Sequence, residues 1–547
     1  MRFPLFPRKR YCITRIGLAA IVATCMAGGR IVDLATAQTS PPPARGQRLI
    51  KANPATAHLA CNYSAMQGKI DTAVTFLNTG KVRANAHVTL NQAQTLTTAA
   101  GTPYCRIDGR VVVEQPAVNV AFQVSMPQTF NGRYFQAGQG GAGGSVQSPN
   151  AILLDQGFAY ASTDRGYGGG RGLDFSQTTG LCDACGFHLA AVVAERVTTA
   201  FYGVPSLVRY VAGCSAGGAD GKGNALSYGT TDFDGVLTGD NPFGAGLVLG
   251  YGRIAKYLSD HPEGWIAPAT LAEAEAKILA KYDDADGAED GLIQDDRNFN
   301  LDDQVLKDAG LSEAQIATVH FINSPWHVNS TVVSPTGDFP GFPIGRLSQW
   351  SLLLGSVQPP WRTGQTGAAA GFAVIDSFMR RIDAHFDFNA NTFQQISDTF
   401  VAHNEPVSLD YSAFRDGGGK LVFYTGVGDG LVTYFEPLQA RNDLMKLETR
   451  PNGLDLWARL YLVPGMDHCG GVNGPSDSEA RLLKALIDWV EKGTAPDSVI
   501  ASRPASGNRP ARTFLLCPEP RAAVYQEKGD VNDAANWACA TSTRRLR

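Results

Sequence analysis

The 547-residue chain has little net charge, no internal repeat and, past its first residues, no basic run. A formal charge of -4 with only 18% charged residues gives no electrostatic footprint for nucleic acid. Beyond the N-terminal region no apolar stretch is long enough to cross a bilayer. Cys182 and Cys185 form a Cys-x-x-Cys, but no second such pair and no His pair accompanies it. The pair reads as a redox pair or half a zinc site, and the missing second pair argues against the zinc site; a disulfide of such short span is strained, so free thiols are a further reading. Cysteine is also missing between Cys214 and Cys469, so that segment is not cross-linked to itself.

What is present begins with an export signal. Arg2, Arg8, Lys9, Arg10 and Arg15 precede an apolar stretch, Ile16–Gly28, that is short for a membrane span. Ala35-Thr36-Ala37 is a small-x-small cleavage site, so residues 1–37 are expected to be removed before Gln38. The alternatives are an N-terminal anchor or a lipoprotein signal ending at Cys25, and Thr24 suits the latter poorly. Cleavage takes six basic and one acidic residue and leaves a mature chain of net charge about -9. It also leaves eight cysteines, an even number that favours disulfides in an exported chain. The expected location is secreted or periplasmic, with no membrane association after cleavage.

From about residue 105 strands and helices alternate. Arg110–Val113, Ala121–Val124, Tyr134–Ala137 and Leu207–Ala212 read as strands, and His188–Phe201 has helical periodicity. The rhythm breaks at about 240–410, which holds an Ala/Glu-rich helix (Leu271–Tyr282), an acidic loop and a helix capped by Ser312 with Gln315 three residues on. It resumes at Lys420–Tyr424 and Leu460–Val463. A last amphipathic helix follows, with Ser476 and Glu479 as an expected capping box and Leu482, Leu483, Leu486, Trp489 and Val490 as its buried stripe. This order predicts an α/β fold with a mostly parallel sheet and a large insertion. The expected parts are a core over 38–239, a lid over 240–412 and the rest of the core over 413–547.

Ser215 lies in Gly213-Cys214-Ser215-Ala216-Gly217, a G-x-S-x-G turn directly after a strand. Such a turn needs small neighbours because the serine backbone is strained and pushed outward. Asp429 follows the strand at Lys420–Tyr424 and His468 follows the strand at Leu460–Val463, giving the order Ser, Asp, His. In this reading His468 takes the Ser215 proton while Asp429 holds the imidazole tautomer. Asp467 is a second candidate acid, but a residue adjacent to the histidine is poorly placed to face its ring. The oxyanion hole is expected from the backbone N–H groups of Ala216 and of Gly141 in the loop Gly138–Gly144. That loop also satisfies G-x-G-x-x-G, yet no acidic residue follows at the spacing a dinucleotide site needs, and no organic cofactor is implied. Cys214 and Cys469 flank the serine and the histidine, so a formed triad brings them within disulfide reach.

Taken together, Gly213–Gly218, Gly426–Asp429 and Gly465–Cys469 resemble the tannase and feruloyl esterase family, which includes mono(2-hydroxyethyl) terephthalate hydrolase. Ala161–Gly166, His188 and Cys517-Pro518 with Cys539 support the resemblance over roughly 60–540. It implies an α/β-hydrolase core with a lid, and cleavage of small aromatic esters of feruloyl, galloyl or terephthalate-monoester type. It also implies disulfides Cys214–Cys469, Cys61–Cys105 and Cys517–Cys539. The loop Asp283–Leu292 resembles the family's calcium loop, with Asp283, Asp286 and Asp290 giving carboxylates and Ala288 and Leu292 backbone carbonyls to a structural Ca2+. It is not an EF-hand, since no Glu closes it. The chain departs from the family at Tyr282, where a cysteine is usual, and at Ala219, where arginine is common. Triad chemistry by itself also fits a secreted serine peptidase, and a hydrolase-like binding protein is the reading outside enzymes. Phe372, Phe378, Arg380 and Arg381 are candidate substrate contacts within the lid.

Overall fold

In the computed structural model the described residues are 51–77, 83–114, 117–141, 144–166, 185–244, 246–328, 330–359, 398, 401, 407–450 and 453–541. They belong to one compact unit, Pro43–Arg547. Its spine is a ten-stranded sheet. The strands, in chain order, are β1 (Ala73–Leu77), β2 (Arg83–Thr97), β3 (Pro103–Val113), β4 (Val118–Pro127), β5 (Arg133–Ala137), β6 (Ala159–Thr163), β7 (Val208–Cys214) and β8 (Gly235–Gly239). A two-residue pair, β9 (Trp326–His327) and β10 (Asp338–Phe339), stands apart, and β11 (Lys420–Gly426) and β12 (Ala458–Val463) complete the main sheet. The sheet order is β1-β2-β3-β4-β6-β5-β7-β8-β11-β12. The four leading strands are antiparallel, and β6 through β12 run parallel. This is the α/β-hydrolase fold.

The parallel strands are mostly apolar and, apart from Arg133, Arg209, Cys214 and Arg459, buried, as a sheet covered on both faces requires. One face is covered by the helix Cys185–Tyr202, the other by the helix Ser478–Lys492. The latter buries Leu482, Leu483, Leu486, Trp489 and Val490, each contributing about 1.5–3 kcal/mol of apolar transfer. Its expected capping box is not formed. Asp477 is the N-cap residue, Ser476 Oγ donates to the Ser502 carbonyl, and Glu479 instead accepts from Tyr424 Oη at 2.7 Å. The pull of a buried phenol on Glu479 outweighs one exposed capping bond. The box at Ser312 and Gln315 is formed, with both reciprocal bonds.

Residues of the inserted segment build an apolar cluster of their own, from Leu247 to Leu354 with Val432. Tyr282 stacks on Phe299 at 4.2 Å and its hydroxyl bonds the backbone of Asn300 and Asp302. A ring contact thus ties the segment at the position where the family usually places a cysteine. Phe372, Phe378, Arg380 and Arg381 lie outside the described residues. Two hairpins, Val499–Arg503 with Arg512–Leu516 and Arg521–Tyr525 with Trp537–Thr541, close the chain.

Three disulfides join Cys61 to Cys105, Cys214 to Cys469 and Cys517 to Cys539. Cys185 is also disulfide-bonded and so is no free thiolate ligand; Cys182 lies outside the described residues. Among the described residues no helix is long and apolar enough to cross a membrane.

Candidate active site

Every sequence-predicted catalytic residue lies just past the carboxyl end of a parallel strand, where open α/β sheets place their ligands. Ser215 follows β7 and precedes the helix Ala216–Tyr228, with φ 60° and ψ -127°. A non-glycine residue holds such a conformation only under tertiary constraint. The constraint here is glycine packing. A Cβ on Gly138 would lie 2.2 Å from the Gly217 carbonyl oxygen, and one on Gly213 would lie 2.6 Å from Gly217. The loop after β5 and the serine turn therefore pass at backbone contact, which no larger residue permits. The Ser215 N–H donates to the Gly239 carbonyl at 2.8 Å and pins the turn to β8.

Asp429 is fully buried, and its Oδ1 accepts the N–H groups of Leu431 and Val432 at 2.8 and 2.9 Å. Its Oδ2 lies 2.7 Å from His468 Nδ1. The acid–histidine pair is thus assembled, with Nε2 left as the nitrogen for a serine proton. Burial lowers the imidazole pKa, but the Asp429 charge and hydrogen bond, with Asp240 adding, outweigh it and push His468 up to about 9. Among the described residues no Ser215–His468 hydrogen bond is formed; such bonds often tighten only once substrate binds. The two residues are held near one another covalently: each is one peptide from the Cys214–Cys469 disulfide, whose Cα atoms are 5.8 Å apart.

Around the expected oxyanion site, Ala216 opens its helix and is buried. Gly141 is exposed with φ 64°. Its neighbour Gly140 approaches Ser215 most closely: a Cβ there would sit 3.2 Å from the Cys214 carbonyl oxygen and 3.8 Å from Ser215 Cβ. The glycine loop packs on the serine turn instead of opening a helix as a nucleotide loop does. Among the described residues Asp467 makes no hydrogen bond to the imidazole, which pairs with Asp429. Asp467 pairs with Arg346 at 3.2 Å, which in turn pairs with Glu275 at 3.0 Å, and burial pushes its carboxyl up to about 6 despite Arg346.

Two residues beside the triad were not singled out from the sequence. Arg346 comes from the inserted segment and packs over Gly428. Asp240 is a buried acid with one carboxylate oxygen near His468 and Asp429. The sequence signal for Asp240 is its position directly after an apolar strand, at the expected junction of core and lid.

In the acidic loop, Asp283 accepts the N–H groups of Gly291 and Leu292, and Asp290 shares the Leu292 donor. The second oxygen of Asp290 takes Arg512 at 2.5 Å. Burial raises the Asp290 carboxyl, Arg512 opposes, and the nearby Asp283 charge adds to the rise. Every oxygen of Asp283 and Asp290 thus already accepts an N–H group or Arg512, so a hard cation would have to displace these donors, although the loop's five acids supply the oxygen type it takes.

A mostly parallel sheet with these residues at its strand ends is an α/β-hydrolase by class. The family model "Tannase and feruloyl esterase" matches residues 105–540, and the chain belongs to that family. It is a carboxylic ester hydrolase. Among curated proteins it is 26% identical over 487 residues to a probable feruloyl esterase B of Aspergillus clavatus, covering 81% of this chain and 87% of that one. The crystal structure of feruloyl esterase B from Aspergillus oryzae superposes with a TM-score of 0.70 at 23% identity, covering 87% and 99% of the two chains. The tannin acyl hydrolase of Aspergillus niger gives 0.67 at 17%, covering 88% and 95%.

Proposed function

We propose that this chain is an exported serine esterase that cleaves esters of aromatic acids, of feruloyl, galloyl or terephthalate-monoester type. The observation that carries the catalytic part is the Asp429–His468 pair, joined through Cys214–Cys469 to the strained Ser215 turn. His468 Nε2 accepts the hydroxyl proton as Ser215 Oγ attacks the ester carbonyl. The tetrahedral oxyanion is taken by the N–H of Ala216 and by an amide of the glycine loop at Gly141. The imidazolium then gives its proton to the departing alcohol or phenol, and water repeats the cycle on the acyl-serine. Relatives named for feruloyl and tannin esters support the aromatic acyl class. Export is supported by the disulfides, which persist in oxidising compartments. The test is a panel of methyl ferulate, methyl gallate, mono(2-hydroxyethyl) terephthalate and p-nitrophenyl acetate, with a peptide amide beside them. Turnover of at least one aromatic ester well above p-nitrophenyl acetate is expected. Preference for the amide would remove the reading.

A structural Ca2+ belongs to the same proposal. Asp283, Asp286 and Asp290 with the carbonyls of Ala288 and Leu292 would hold it, and its charge would offset the mutual repulsion of the carboxylates. Calcium at 100 times its Kd is worth about 2.7 kcal/mol, or about 3 °C in Tm for a chain this long. Calorimetry in EGTA against millimolar Ca2+ should show that rise in wild type and none in Asp283→Asn. An unchanged wild-type Tm would remove calcium from the account.

A further inference from the structure

The strand β8 lies between the strands that carry Ser215 and Asp429, with Gly239 level with Cys214 on one side and Tyr424 on the other. Asp240 follows at once. It is fully buried and holds φ 37°, a conformation a non-glycine residue keeps only when its surroundings dictate it. Its surroundings are the three catalytic loops. Its N–H donates to the Tyr424 carbonyl at 3.0 Å. Its Oδ1 accepts the Gly426 N–H and its Oδ2 the Cys469 N–H, each at 2.7 Å. Oδ2 also lies 3.5 Å from Cys214 Sγ, a packing contact because the bonded sulfur carries no hydrogen. One donor atom each from Asp240, Asp429 and His468 fall within 4.8 Å of one another.

We propose that Asp240 is a second acid of this site, a positioning residue that sets the His468 loop against the Ser215 turn and helps Asp429 stabilise the imidazolium formed in acyl transfer. The inference rests on the serine-esterase reading above. The three clustered groups could suggest a metal site instead. However, both Asp240 oxygens and both Asp429 oxygens already accept N–H groups, and His468 Nδ1 is taken. The positive charge this cluster is built for is then the imidazolium itself.

The other titratable groups nearby do not supply it. Asp467 is paired with Arg346. Tyr424 donates to Glu479, Tyr251 donates to the Leu431 carbonyl, and burial keeps both phenols neutral. The carboxylates that bear on His468 are Asp429 and Asp240. Burial first, and then Asp429, push the Asp240 carboxyl up to about 7, so its ionised form prevails only on the alkaline side of neutrality.

The test is the pH profile of kcat/KM for wild type, Asp240→Asn and Ser215→Ala, with thiol counting on each. In wild type the acid limb, where His468 becomes protonated, should fall above the ordinary histidine value of 6.5. Asp240→Asn should lower kcat/KM about tenfold or more through kcat and move that limb down by about one pH unit, because a charge favouring the imidazolium is gone. A loss of activity with an unmoved limb, or a change under twofold with the disulfide intact, would overturn the proposal. If Asp240→Asn is not recovered folded, Asp240→Ser is read the same way; it lacks the amide that would confront the Cys469 N–H. Failure of both to fold would overturn the proposal in favour of a purely structural residue. An active Ser215→Ala enzyme would instead overturn the serine-esterase reading on which it rests.

Discussion

Replacing Ser215 by alanine is expected to lower kcat by about 10⁴- to 10⁶-fold while changing KM little. In the proposed mechanism the hydroxyl is the atom that forms the acyl bond, and no other nucleophile stands at that turn: its neighbours are Cys214, whose sulfur is bonded to Cys469, and Ala216. The backbone cost of the strained turn remains, since alanine meets the same φ of 60°, so stability should move by less than about 1 kcal/mol. The measurement is kcat and KM on the best ester of the panel, together with labelling by a sulfonyl fluoride. His468→Ala should fall to a similar level, and the double variant should be no worse than either alone, because the pair acts as a unit. Residual catalysis would come from amides held at Ala216 and in the glycine loop, and from substrate binding. Retention of more than about 1% of kcat by Ser215→Ala would remove Ser215 from the nucleophile's role.

Much of this geometry was legible because local signals coincided. The apolar run ending at Gly213, the small residues around Ser215 and the strands before Asp429 and His468 each mark a strand end. Parallel strands in one sheet put such ends on one edge. The capping box at Ser312 was legible because its two bonds lie within four residues and face no rival. At Ser476 the same pattern failed because a residue 55 positions away, Tyr424, competes for Glu479. Strand β2 escaped notice for a different reason. Its exposed positions carry Asn, His, Thr and Gln, and a bulge between Leu90 and Gln92 shifts the register, so the alternation breaks midway. Asp240 was the least legible. Its partners Gly426 and Cys469 lie 186 and 229 residues on, and nothing in Gly239-Asp240-Asn241-Pro242 distinguishes it from a turn acid.

The Cys214–Cys469 bond separates two roles that a disulfide can have. It closes 255 residues, and the chain-entropy account assigns such a loop about 5.5 kcal/mol. Cys61–Cys105 closes 44 residues and is worth about 4 kcal/mol by the same account. For a chain of this length each kilocalorie moves Tm by about 1 °C, so the paired Cys→Ser variants should lose similar amounts, about 4–5.5 °C. Their activities should not be similar. Cys61–Cys105 ties the segment before the sheet to β3, with three strands between β3 and β7 in the sheet order. Cys214–Cys469 sets the spacing between the nucleophile and its base, where a displacement of about 1 Å costs about 100-fold. At temperatures where both variants are folded, Cys214→Ser/Cys469→Ser should therefore lose about two orders of magnitude in kcat, and Cys61→Ser/Cys105→Ser less than about threefold. Asp240 still holds the Cys469 N–H in the first variant, which keeps the loss well short of that for Ser215→Ala. Equal kcat in the two variants would mean that the bond beside the triad adds stability alone, and that hydrogen bonds from Asp240 and Gly239 suffice to align the site.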